Sequence, residues 1–162
     1  MRAIIPFLIC VCVHAAAAPS AKAHNLGDWR VKREQAVAVL RAQPRGVLHI
    51  HCDRATQKLT IKASSAMRMP QDDRPRREVF VSFDGVEDSE TWLWGDRGRA
   101  ATLTRDFAIE PFLEKLAIAK TLDITVAPND RAQVHFHFAA AGARLALADL
   151  RAACSAPAPN VP

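Results

Sequence analysis

Leu48-His49-Ile50-His51-Cys52 places two imidazoles and a thiol in one short run. Residues of these types could serve a metal site, a Cys/His nucleophile pair or a disulfide. Strand geometry divides them. Period two puts Leu48, Ile50 and Cys52 on one face and Val47, His49 and His51 on the other. His51 then cannot easily reach the Cys52 thiol to activate it. The same His-x-His spacing recurs at His135 and His137, within "AQVHFHFA", where Val134, Phe136 and Phe138 face the opposite way. Each histidine pair shares a strand face at about 7 Å, from a rise of roughly 3.3 Å per residue. If the two strands were neighbours in register, His49, His51, His135 and His137 would converge and could hold zinc, copper or nickel. The plainer reading is two outward polar positions on solvent-facing strands. His24 offers a separate idea: as a mature N-terminus, its amine and imidazole could chelate copper.

That idea depends on the segment in front. "MRAIIPFLICVCVHAAAAPSAKAHN" starts with a basic Arg2, continues as an apolar run from Ala3 to Val13, and reaches the small-x-small pattern Ala21-Lys22-Ala23. This is the pattern of an export signal over residues 1–23, with cleavage after Ala17 as an alternative. The run is short of the roughly 20 apolar residues that span a bilayer, so no membrane anchor is expected after cleavage. Cys10 and Cys12 leave with the signal. The mature charge falls by two from the whole-chain +5, to about +3. That mild charge, with few aromatic residues, gives no platform for nucleic acid.

Two cysteines remain, Cys52 and Cys154. An exported compartment favours their oxidation, so one disulfide is expected. It would close a loop of about 100 residues, worth roughly 4–5 kcal/mol in the chain-entropy picture.

The elements that must position these groups read as follows. Trp29 with Val31, and Ala36 to Leu40, are short early strands. "QPRG" (43–46) is a turn. Val47–Cys52 pairs as a hairpin with "KLTIKAS", whose Leu59, Ile61 and Ala63 point inward. "MRMPQDDRPRRE" (67–78) has no periodicity and reads as a loop. "VFVSFDG" is a strand closed by an Asp84-Gly85 turn, and "TWLWG" and "AATLT" are short strands. "DFAIEPFLEKLAIAK" changes period: Ile109, Phe112, Leu113 and Leu116 form a helical stripe, with Pro111 suited to a first turn. "TLDITVA" alternates Leu122, Ile124 and Val126, and "PND" turns the chain. "GARLALADLRAAC" is a closing helix with Ala143, Leu147, Leu150 and Cys154 on one face. "SAPAPNVP" (155–162) is a Pro-rich tail expected to be disordered. The fold class is therefore α+β: one exported domain over 24–154, an antiparallel sheet or sandwich of about seven or eight strands with two helices. Cys52 and Cys154 would staple the second helix to the sheet.

Other candidate groups divide between structure and binding. Trp92 and Trp94 share a strand face, as core or as an exposed aromatic strip. "RPRR" (74–77) lies among Asp72, Asp73 and Glu78, as a solvated loop or a surface for an acidic partner. No serine triad, readable carboxylate pair or phosphate loop is present in the sequence, so catalysis is not expected.

The order of motifs carries a resemblance. A strand ends in Cys52; then come a hairpin, "VFVSFDG", Trp92 and Trp94, "FAIEPFLEKLAIAKTLDITVAP" and "VHFHFAAAGARLALADLRAAC". Over roughly residues 47–154 this resembles the periplasmic type VI secretion-associated VasI (TagO-like) family and, more loosely, the invasion-associated locus B proteins. Phe138, Gly142 and Leu150-Arg151 through Cys154 carry it best. The resemblance implies a periplasmic, β-rich accessory or binding protein with no established catalytic residues and no cofactor. Its implied partner is an envelope or secretion-system protein. A periplasmic protein binding a transition metal through the two His-x-His strands is the alternative.

Overall fold

The computed structural model describes residues 27–42, 46–66, 75–95, 97–129 and 132–157. The expected export signal with its cleavage site, His24, most of "QPRG" and the end of the tail lie outside the described residues. The strands are β1 (Arg30–Lys32), β2 (Val37–Ala42), β3 (Gly46–Asp53), β4 (Lys58–Ser65), β5 (Arg76–Phe83), β6 (Val86–Gly95), β7 (Ala100–Leu103), β8 (Thr121–Asn129) and β9 (Ala132–Ala139). Helix α1 (Asp106–Ile118) joins β7 to β8, and α2 (Ala143–Ser155) follows β9.

All nine strands belong to one antiparallel sheet, ordered β1-β2-β3-β4-β7-β6-β5-β8-β9. Seven or eight strands were expected, and a single sheet replaces the sandwich option. The β5–β6–β7 meander enters the sheet in reverse order, so β4 pairs with β7 and β5 pairs with β8. Helix α1 then spans the meander to connect those two borders.

Strand alternation sorts the residues as the sequence suggests. Leu48, Ile50 and Cys52 of β3, Ile61 and Ala63 of β4, and Leu122, Ile124 and Val126 of β8 are buried on one face. Both helices cover that face. Ile109, Phe112, Leu113 and Leu116 of α1 are buried there, as are Ala143, Leu147, Leu150 and Cys154 of α2. Phe112 meets the rings of Phe83 and Trp92 edge-on, with centroids 5.1 and 6.0 Å away. Such aromatic contacts add about 0.5–1.5 kcal/mol beyond area burial.

Two local expectations need correction. Residues 67–78 were read as a loop, yet β5 starts at Arg76 and Arg77 is buried. The strand pairs Arg77 with Trp92 and Glu78 with Thr91, so partner-strand hydrogen bonding extends β5 through residues whose charges hid the alternation. Pro111 is not in the first turn. The helix begins a turn earlier, at Asp106, which makes Pro111 its sixth residue.

The sheet curls until its first strands meet its last, and β2 lies beside β9 without a hydrogen-bonded ladder. Trp29 Nε1–H donates to Ala140 O across this seam at 3.2 Å. Gly46 is required by the same closure, because a Cβ there would collide with the Phe136 ring. Gly27 takes φ +66° against Ala141 O, where a side chain would be both strained and crowded.

Candidate functional site

The thiol of "LHIHC" has a structural partner. Cys52 sits on the inner face of β3 and Cys154 on the buried stripe of α2, with Cα atoms 5.8 Å apart and the two sulfurs bonded. The staple joins sheet to closing helix as expected. The β3–β4 turn reinforces it. Asp53 Oδ1 accepts the N–H of Ala55 at 2.9 Å and of Thr56 at 3.4 Å, which shapes the turn. The Ala55 hydrogen bond is the main reason the Asp53 carboxyl titrates below its ordinary value.

That turn then reaches the end of α2. Arg54 Nε–H donates to Ala153 O at 3.0 Å, and Gln57 Nε2–H donates to Cys154 O at 3.2 Å. Arg54 also donates to Arg33 O. Helix C-termini leave carbonyls without intrahelical donors, and here a turn 97 or more residues away in sequence supplies them. Arg33 adds an ion pair to Asp149 at 3.2 Å. Sequence reasoning missed Arg54 and Gln57. "DRATQ" signals only a turn, and no local pattern names the distant carbonyls it will cap.

The imidazoles do not converge. His49 and His51 belong to β3, which pairs with β2 and β4; His135 and His137 belong to β9, which pairs with β8. The four-histidine centre is therefore corrected: β4, β7, β6, β5 and β8 stand between β3 and β9 in the sheet order, and across the seam it is β2 that lies beside β9. Among the described residues, no group of three or more His, Cys, Asp or Glu side chains is arranged to hold a metal.

Each pair has its own surroundings. His49 is half-buried between Val39 and Lys62 in register. Desolvation, then the charges of Lys62 and Lys32, push its pKa below the ordinary imidazole value. His51 is exposed beside Thr60. On β9, His135 Nδ1 lies 2.8 Å from Thr125 Oγ1, and His137 Nδ1 lies 2.7 Å from Asp123 Oδ1. Both contacts are directly cross-strand, where side chains meet most closely.

The remaining candidates divide cleanly. Trp92 is fully buried and Trp94 is half-buried against the core, so they form packing rather than an exposed strip. Asp84, at φ +50°, lies in the β5–β6 turn as expected. Its carboxylate accepts the backbone N–H of Lys120 at 2.9 Å and of Thr121 at 2.8 Å, fixing the passage from α1 into β8. The Thr121 bond leads in depressing the Asp84 pKa.

The chain matches no family model and no curated protein sequence. Its fold is similar to the crystal structure of invasion-associated protein B from Bartonella henselae, with a TM-score of 0.50 and 12% identity. The likeness covers 72% of this chain and 85% of that one. At that identity it speaks to the arrangement of strands and helices alone.

Proposed function

We propose that the chain is an exported, non-enzymatic accessory protein of the cell envelope that works by binding a partner. The observation that carries this reading is the Cys52–Cys154 bridge, which ties the β3 strand to the last helix inside the core. Structural disulfides persist where the compartment is oxidising. The groups best suited to covalent chemistry already have structural work. Cys52 is oxidised, His51 projects from the opposite strand face, and Asp84 is committed to backbone N–H groups. The fold likeness to an invasion-associated protein and the motif order of the VasI (TagO-like) family favour a secretion apparatus or other envelope assembly as the setting.

Cell fractionation with thiol alkylation tests the compartment. The protein is expected in the periplasmic fraction, and its cysteines should accept a maleimide only after reduction. A reduced, cytoplasmic pool as the main species would sink the export reading. A pull-down of the oxidised protein from periplasm should recover an envelope component. Turnover of any substrate that depends on one side chain would overturn the non-enzymatic part.

A further inference from the structure

The seam where the curled sheet meets itself holds a recess of about 330 Å³ between β1–β2 and β9. Its lining includes Asp28, Trp29, Arg30, Arg41 and His137. Arg30 and Arg41 arrive there through register. Arg30 stands opposite Val39, and Arg41 follows Val39 by two residues, so both guanidinium-bearing chains leave the same outer face.

These two arginines differ from others on the surface. Arg33, Arg105 and Arg151 each hold a carboxylate, at 3.2, 2.6 and 2.8 Å. Arg30 and Arg41 have no ion-pair or hydrogen-bond partner among the described residues, although Asp28 lines the same recess. Across the seam, His137 gives its Nδ1–H to Asp123, which leaves Nε2 outside that bond. The floor is fixed, because the Trp29 indole is anchored to Ala140 O.

We infer that this recess binds the phosphate or carboxylate group of a small polyhydroxylated ligand. Two guanidinium forks from adjacent strands suit an oxyanion, since they present paired donors in a planar array. Asp28 supplies an acceptor that a bare anion cannot use but a neighbouring hydroxyl can. The ligand class is thus a sugar or polyol phosphate, or a sugar acid, free or displayed as a lipid headgroup. The recess stands apart from the export argument. A failure of fractionation leaves it untouched, and its own failure leaves the compartment untouched.

The Trp29 indole N–H resonance reports on the site in heteronuclear NMR of the oxidised protein. Titration with glycerol 1-phosphate should shift it saturably. Arg30→Ala and Arg41→Ala should each weaken binding about fivefold, the scale of one partly exposed charge contact. Arg99→Ala, which removes an exposed arginine at the β6–β7 connection, should leave the affinity unchanged. A parallel titration with phosphatidylglycerol vesicles separates the sources: saturation by the soluble probe assigns a free polyol phosphate, and saturation by vesicles alone assigns a lipid headgroup. Equal affinity for inorganic phosphate would remove the polyol from the assignment. No saturable shift with either probe, or equal losses in all three variants, would overturn the site.

Discussion

His49 is a half-buried imidazole, and its burial, with the charges of Lys62 and Lys32, disfavours its protonation. Its pKa in the folded state lies below the 6.5 of an unperturbed imidazole. The folded protein therefore binds this proton more weakly than the unfolded chain does. Stability from this group is complete above about pH 6.5 and is lost as pH falls through the depressed folded value. Urea midpoints should drop between neutral pH and pH 5, and His49→Gln should flatten that part of the profile. An unchanged slope in the variant would mean that other groups carry it. At the same scale, Gly46→Ala forces a methyl into the Phe136 ring. Overpacking of this kind costs about 1–3 kcal/mol, readable from chemical denaturation. The faces of these residues were legible in the sequence, because alternation alone sends Cys52 inward and His49 outward. The β4 hairpin partner was legible too, but the place of β9 was not. It lies beside β8 and, across the seam, beside β2 rather than β3, and no residue within "LHIHC" encodes that.

Among the elements, α1 carries a local conflict. Pro111 is its sixth residue, so it cannot donate to the Phe107 carbonyl one turn back. The buried stripe of Ile109, Phe112, Leu113 and Leu116 holds the helix together across that gap. Pro111 itself is exposed. Pro111→Ala should therefore stabilise the protein by about 1–3 kcal/mol, seen as a higher Tm. A lower Tm would show that the ring braces the turn in another way. The stripe was plain from its spacing, whereas the start of the helix was not. Proline at a first turn is the commonest arrangement, and here tertiary packing overrides it. Strand β5 teaches the same lesson. Arg76, Arg77 and Glu78 look like loop residues until β6 supplies Leu93, Trp92 and Thr91 as partners.

For the whole molecule, the bridge between Cys52 and Cys154 spans 102 residues. Replacing both cysteines with alanine should cost roughly 4–5 kcal/mol in the loop-entropy picture. The denaturant midpoint would fall accordingly. The double variant should also fray first at the end of α2, where Arg54 and Gln57 would hold the last carbonyls alone. Hydrogen exchange at the backbone amides of positions 153 and 154 would show it. The bridge was legible from cysteine arithmetic once residues 1–23 were read as an export signal. The seam was not, since its closure depends on Trp29, Gly27 and Gly46 meeting residues about a hundred positions away.

The same bridge has a mechanical meaning. Pull the oxidised chain from its two ends, and the force passes from Cys52 directly to Cys154. Everything between them, from β4 through most of α2, is shielded from tension. Only β1, β2 and β3 can be drawn out, while the rest rides along as an untensioned ring. Reduction would release about 350 Å of additional contour length, at ~3.3–3.6 Å for each of the 102 residues. A force-extension trace should show that step appear only with reductant. Under tension the oxidised chain would thus give way at the first three strands and strip α2 of the strands it packs on, while the bridge keeps the chain between the two cysteines closed.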